Sequence, residues 1–257
     1  MKFVRFQQGG KSSLGVLEGE GTIRVHEGDM FASPRATGKT VALDAVELLP
    51  PSNASKLIAL WNNSKVQIER RKRQTPKEVL WFLKPPSSYL THGQPILYPV
   101  GESEKVVLEG ELGIVIGKPC RGVTAQQAKD CIFGYTVIND VTAQDIVMRD
   151  DSYPQYTRAK AFDSFGVFGP AIATGLDPLK LTIRSFVNGK QCQEYPVTDL
   201  VFTPWETVSE LARTMTLQPG DVIACGTSLG VEPIKPGDTV EIRIDGIGSL
   251  VNPVVAR

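Results

Sequence analysis

Val106-Val107-Leu108-Glu109-Gly110-Glu111-Leu112-Gly113-Ile114-Val115-Ile116-Gly117 is an apolar run broken only by two carboxylates on either side of one glycine. Its composition reads as a β-strand of a buried core. Side chains on a strand alternate with a period of two, so Glu109 and Glu111 leave one face of the sheet while Leu108, Leu112, Ile114 and Ile116 leave the other. Two like charges side by side in a β-rich core repel, and a divalent cation between them would turn that penalty into binding energy.

A third oxygen donor lies downstream. Ile132-Phe133-Gly134-Tyr135-Thr136-Val137-Ile138-Asn139-Asp140 reads as another strand, with Asp140 at its end before the polar-rich segment Val141-Thr142-Ala143-Gln144-Asp145. Three carboxylates without a nearby Cys or His form an all-oxygen set, which suits Mg²⁺, Mn²⁺ or Ca²⁺ better than zinc or copper. The same spacing also suits a solvated strand face with Asp140 capping a helix, and spacing alone leaves both readings open.

The 257 residues are enough to bury a full core and to hold one large domain plus a small one. The 28 basic and 28 acidic residues balance, so no broad electrostatic field favours nucleic acid or a membrane surface. Cys120, Cys131, Cys192 and Cys225 contain no CxxC pair and are far too sparse for a secreted disulfide scaffold. Reduced thiols in a cytoplasmic protein are expected. Met1 to Gln8 lacks the apolar segment of a leader peptide, and no apolar run is long enough to span a bilayer.

Lys2 to Gln7, Leu14 to Glu18 and Gly21 to His26 are strand-like pieces separated by Gly-Gly and Glu-Gly turns, which predicts a small β domain over residues 1–50. Pro50-Pro51-Ser52 forms its border, and residues 51–257 form the second domain. There, Lys56 to Trp61 and Val79 to Leu83 read as strands, and Ser64 to Arg73 as a basic helix or loop. Helices are expected at Thr124 to Cys131 and Glu206 to Met215, where Thr124 and Thr203-Pro204-Trp205-Glu206 supply starts. Gln218-Pro219-Gly220-Asp221 and Lys235-Pro236-Gly237-Asp238 are turns that each launch a strand. The fold class is mainly β with few helices.

In this order, the chain resembles the fumarylacetoacetate hydrolase family from about Lys56 to its end. The matching stretches are Glu109-Gly-Glu-Leu-Gly-Ile-Val-Ile-Gly117, Gly134-Tyr-Thr-Val-Ile-Asn-Asp140, Ala159-Lys-Ala-Phe-Asp163, Gly169-Pro170, Val187-Asn-Gly189, Leu217-Gln-Pro-Gly-Asp221, Gly226-Thr227 and Gly246-Ile-Gly248. The resemblance implies a mixed β-sandwich roll, usually a homodimer, with Mg²⁺ or Mn²⁺ held by Glu109, Glu111 and Asp140. It implies a small oxo-acid substrate that chelates the metal, and reactions that share an enolate. Lys160 matches a lysine aimed at the reacting centre, and Thr227, beside Gly226, matches a threonine that contacts the substrate carboxylate. Asp163 follows the lysine motif and is expected to orient its neighbours.

The chain departs from the family pattern in two places. Hydrolytic members carry Asn-Tyr-x-x-His on a lid, with a glutamate shortly after, where this chain reads Trp61-Asn62-Asn63-Ser64-Lys65-Val66-Gln67-Ile68-Glu69-Arg70. Gln67 stands near the histidine position, and a neutral amide takes no proton at pH 7. Glu69 is a candidate substitute base, and it is also a plausible solvated charge beside Arg70, Arg71, Lys72 and Arg73. His26 and His92, the two histidines, are expected at the surface. The family's Ser/Thr-Ala-Arg-Asp-x-Gln is here Thr142-Ala143-Gln144-Asp145-Ile146-Val147, so Gln144 is the candidate substrate contact at that position. The expected activity is metal-dependent isomerisation or decarboxylation of a 2-oxo or 2-hydroxy-dienoic diacid. Acylpyruvate hydrolysis is the alternative enzyme, and a non-catalytic metal- and oxo-acid-binding protein the alternative from another class.

Overall fold

A computed structural model describes residues 1–19 and 21–257. The first strands are β1 (Lys2–Gln8), β2 (Lys11–Glu18), β3 (Thr22–Glu27), β4 (Arg35–Ala42) and β5 (Glu47–Leu49). The strand β4 has no counterpart in the sequence reading, because it is solvent-exposed along nearly its whole length and carries no apolar alternation. After Pro50 and Pro51 come β6 (Leu57–Trp61), helix α1 (Lys65–Arg70), β7 (Leu80–Lys84), β8 (Tyr89–Leu90), β9 (Ile96–Tyr98), β10 (Val106–Leu108) and β11 (Gly110–Ile116). Helix α2 (Ala125–Ala128) precedes β12 (Ile132–Asp140) and β13 (Thr142–Ala143), followed by α3 (Gln144–Val147) and α4 (Tyr156–Lys160). The remainder is β14 (Gly166–Ala173), β15 (Thr182–Val187), β16 (Lys190–Pro196), α5 (Pro204–Thr214), β17 (Val222–Ala224), β18 (Glu232–Ile234), β19 (Thr239–Ile244) and β20 (Gly248–Ala256).

These elements make a mainly β fold of mixed sheets. The large sheet runs β4-β3-β2-β1-β14-β12-β11-β17-β6-β7, antiparallel along this path except where β17 lies parallel to β6, with β5 antiparallel to β1 and β8 parallel to β14 beside it. A five-stranded sheet, β16-β15-β19-β20-β9, packs across β11, β12 and β14. Ile183, Val240, Ile242, Ile244 and Leu250 from the second sheet meet Leu112, Ile114, Val137 and Val167 from the first, and all are almost completely buried. The N-terminal strands join the large sheet through β1, which pairs with β14 at Lys2 opposite Ala173 and Phe3 opposite Ile172. No helix among the described residues is long and apolar enough to cross a membrane.

The opening stretch is two strands, which corrects the single strand expected from its apolarity. The chain changes sheets at Glu109: β10 belongs to a three-stranded sheet with β13 and β18, and β11 to the large sheet. Glu109 leaves the ladder because its N–H donates to the Asn139 side chain at 3.0 Å. Gly110 follows at a point where a Cβ would lie 2.2 Å from Ser185 Oγ, so only glycine fits beneath the second sheet. The break leaves Glu109 at the end of one strand and Glu111 on the next. Both still face the same side.

Candidate metal centre and its cleft

β11 and β12 are hydrogen-bonded neighbours with Gly110 opposite Asn139, and this register brings Glu109 and Glu111 beside the last residue of β12, Asp140. One carboxylate oxygen of each lies within 4.8 Å of the others. Asp140 is fully buried, Glu111 is 1% exposed, and Glu109 faces a cleft of about 580 Å³.

Two lysines enter the cluster. Lys160, the last residue of α4, donates to Glu109 Oε2 at 2.7 Å and forms a close ion pair with Asp140. Lys84, the last residue of β7 and completely buried, pairs closely with the other oxygen of Asp140. Burial alone would raise the Asp140 carboxyl, but the Lys160 and Lys84 ammonium groups outweigh it and hold the acid below its ordinary range. Burial pushes Lys84 down to about 8, partly opposed by Asp140. For Lys160 the attraction of Asp140 and Glu109 overcomes burial and raises the ammonium above its usual value.

Glu111 has no such partner. Among the described residues its carboxylate accepts one hydrogen bond, from the Gly226 N–H at 2.6 Å. Burial, reinforced by repulsion from Asp140, pushes it well above the normal carboxylate range. Glu109 is raised too, by burial, with Lys160 opposing. With all three acids ionised and both lysines protonated, the cluster carries one net negative charge, and Glu111 is the acid without a counter-charge. A hard divalent cation fits this donor set by charge and by chemistry: three carboxylates converge, and among the described residues no Cys or His joins them as a ligand.

The floor of the cleft is held from behind. Gln193 on β16 is 1% exposed; its carbonyl oxygen accepts from Gly110 N–H (3.0 Å), and its amide donates to Thr227 Oγ1 (3.0 Å). Tyr195 donates its hydroxyl to the Gly110 carbonyl at 2.7 Å. Thr227 Oγ1 donates to that same carbonyl at 3.0 Å. Gly226 has φ +91°, a conformation that aims its N–H at Glu111 and that L side chains rarely adopt. Across the cleft, α1 is tied to the 226–228 loop by buried Asp199, which accepts from Ser64 Oγ (2.6 Å), Ser228 Oγ (2.8 Å) and Val66 N–H (3.0 Å).

The structure gathers Glu109, Glu111, Asp140, Lys160, Thr227, Gly226 and Gln144 around this cleft. It places two named residues elsewhere. Asp163 is exposed and pairs with Arg257 at 3.4 Å, so its expected role in orienting the lysine segment has no contact to carry it. Glu69 points to solvent on α1 and does not line the cleft, because the inward positions of that short helix are Gln67 and Ile68. Gln67 lies on the cleft wall, but its amide already donates to Thr227 O (3.2 Å) and Ser228 O (2.7 Å). His92 is half-buried rather than at the surface, and its Nδ1 accepts from Val251 N–H at 3.1 Å.

Sequence reasoning missed Lys84, Gln193, Tyr195 and Tyr156. A signal existed for Lys84: the period of two places it on the same face as buried Phe82. Tyr156, on α4, lies between Trp61 and Phe82 at ring-centre distances of 5.6 and 5.8 Å.

Comparison with known proteins supplies the context. The family described as fumarylacetoacetate (FAA) hydrolase, C-terminal, matches residues 53–255, and a second family, Rv2993c-like, N-terminal, matches residues 1–51. An uncharacterised protein of Archaeoglobus fulgidus is 41% identical over 98% of this chain and 95% of its own length. The bifunctional isomerase/decarboxylase of 4-hydroxyphenylacetate degradation from Salmonella dublin is 38% identical over 81% of this chain, which spans 48% of that protein. Among solved structures, 5-carboxymethyl-2-hydroxymuconate delta-isomerase from Mycobacterium smegmatis superposes with a TM-score of 0.92 at 38% identity, covering 100% of both chains. Maleylpyruvate hydrolase from Sphingobium, in complex with manganese(II) and pyruvate, superposes with a TM-score of 0.80 at 29% identity, covering 100% of this chain and 99% of that one.

Proposed function

Because this chain belongs to the fumarylacetoacetate hydrolase family, we propose that it is a divalent-metal-dependent isomerase or decarboxylase of a small 2-oxo or 2-hydroxy-dienoic diacid. The observation that carries the proposal is the convergence of Glu109, Glu111, Asp140 and Lys160 at the end of one cleft. Glu109, Glu111 and Asp140 would hold Mg²⁺ or Mn²⁺, and the ion when bound supplies Lewis-acid polarisation of the oxo-acid oxygens.

The protein's own groups do the rest. Lys160 Nζ carries a positive charge at the carboxylate end, where it stabilises the oxyanion of an enolate as that charge develops. With Glu109 and Asp140 drawn off by a cation, the Lys160 proton is held less tightly, and the ammonium can pass it to the product carbon or oxygen and take one back from water. Thr227 and Gly226 form the cleft floor beside which the substrate carboxylate would lie, held by Gln193 and Tyr195, and the Thr227 hydroxyl would reach that carboxylate by turning from the Gly110 carbonyl. Phe82, Tyr156 and Trp61 form an apolar wall that limits water around the reacting carbons.

Hydrolysis of an acylpyruvate is the second reading, favoured by the likeness to a maleylpyruvate hydrolase. It needs a group to activate water, and Gln67 and Glu69 are poorly suited, one a committed amide and the other pointing outward. A homodimer acting on a small molecule, without a nucleic-acid or membrane partner, completes the proposal.

The test is to incubate the Mg²⁺ or Mn²⁺ form with oxaloacetate, an acylpyruvate and 2-hydroxyhepta-2,4-diene-1,7-dioate, following CO₂, cleavage products and tautomer separately. Tautomer or CO₂ is expected to exceed cleavage, and chelation to abolish turnover. Full activity after exhaustive chelation, or efficient cleavage of the acylpyruvate, would sink the first reading.

A further inference from the structure

The cleft has a second charged end. Arg71 and Arg73 line its mouth, and among the described residues neither guanidinium has a hydrogen-bonded or ion-paired acid. Their backbone is fixed. Lys72 takes the left-handed conformation (φ +51°), Lys72 N–H donates to Glu69 O (3.1 Å) and Arg73 N–H donates to Ile68 O (3.0 Å), which closes α1 with the paired bonds of a Schellman motif. Arg73 is half-buried, with its guanidinium 4.9 Å from the centre of the Trp61 ring.

From Trp61 an aromatic wall continues through Tyr156 to Phe82, and the Lys160 ammonium lies 5.1 Å from the Phe82 ring centre. The wall therefore joins one cationic end of the cleft to the other. Charge decides what would lie along it. A divalent ion in the carboxylate cluster would convert its single net negative charge into a single positive one, and the carboxylate of an oxo acid would neutralise that. The two arginines would then remain unmatched in a cleft whose acids are spent at the far end.

The geometry points to Arg71 and Arg73 as a second anion subsite, which reads the distal carboxylate of a linear, flat dicarboxylate lying along the Trp61-Tyr156-Phe82 wall. This rests on the metal-end reading proposed above and assigns the specificity-determining residues of the same cleft. Arg70, on the same basic run but outside the cleft, has no part in it.

Calorimetric titration of the Mg²⁺- or Mn²⁺-loaded protein with pyruvate, 2-oxohexanoate and 2-oxohexanedioate separates the two ends. Pyruvate probes the metal end alone, and the two six-carbon acids differ only in the distal carboxylate. The native chain is expected to prefer the hexanedioate by on the order of tenfold or more, since a partly solvated charge-assisted pair contributes about that much. The preference should vanish in an Arg71→Met/Arg73→Met double variant, with pyruvate affinity unchanged, and survive in Arg70→Met. No preference in the native chain, a preference that persists in the double variant, or equal loss in Arg70→Met would overturn the subsite. Failure of pyruvate to bind while an arginine-dependent preference persists would instead overturn the metal-end reading and leave the subsite standing.

Discussion

Lys160 and His92 illustrate how burial sets the behaviour of single side chains here. Lys160 is held against two carboxylates at the closed end of the cleft, where a positive charge acts most strongly on a developing anion. Lys160→Met is expected to lower turnover on the order of a hundredfold or more while metal occupancy, measured by titration, stays high. Near-normal turnover would reduce the lysine to a structural role. His92 works through stability. Burial holds its imidazole below its ordinary value of 6.5, opposed by weaker backbone and Glu241 contributions, and Nδ1 already accepts a backbone N–H. The folded state thus binds fewer protons than the unfolded chain once pH falls below 6.5, so His92 contributes stability above that value that is lost on acidification through the folded pKa. Between about pH 7.5 and 5.5, urea unfolding should show the native chain losing stability relative to His92→Asn as the pH falls, a comparison in which the opposite linkage of the raised Glu109 and Glu111 carboxyls cancels. A difference that stays constant with pH would assign any acid sensitivity to other groups.

At the level of elements, capping decides where helices begin, and it was legible in advance. Thr203 accepts from the Glu206 N–H while the Glu206 carboxylate accepts from Thr203 N–H at 2.8 Å, a reciprocal box ahead of Pro204 at the first helical position. Thr124 and Gln127 repeat the arrangement at α2. Thr203→Ala should cost about 1 kcal/mol in chemical denaturation, since it orphans a helical N–H and frees Glu206. A loss near zero would show that packing of Val208, Leu211 and Ala212 alone holds the helix. The strands were legible for a related reason: β12 ends at Asp140 as its apolar run predicts, and both Pro-Gly-Asp turns precede strands. The exposed β4 and the sheet change at Glu109 were not legible, because neither leaves a periodic trace.

At the scale of the whole molecule, the N-terminal strands and the strands that carry the carboxylate cluster are one hydrogen-bonded surface. Phe3, Val16 and Met30 share a buried cluster with Leu57, Phe168, Ile172 and Val222. Calorimetry should therefore give a single unfolding transition, and a chain beginning at residue 53 should unfold at a lower temperature, having lost the partner of β14. A separate N-terminal transition would show two independently folding units. By itself the sequence determined what is local: where strands alternate, where helices cap, and which oxygen donors sit one residue apart or at a strand end. Residue types and spacing are enough for that, since strand and helix periods are properties of the chain. Tertiary structure alone decided which groups converge. Lys84 reaches Asp140 from 56 residues away, Gln193 supports Gly110 from another sheet, and Arg71 and Arg73 turn toward the cleft while Glu69 turns out. Those placements depend on sheet register and on helix rotation about its axis, which follow from burial summed over the whole core and from no single stretch of sequence.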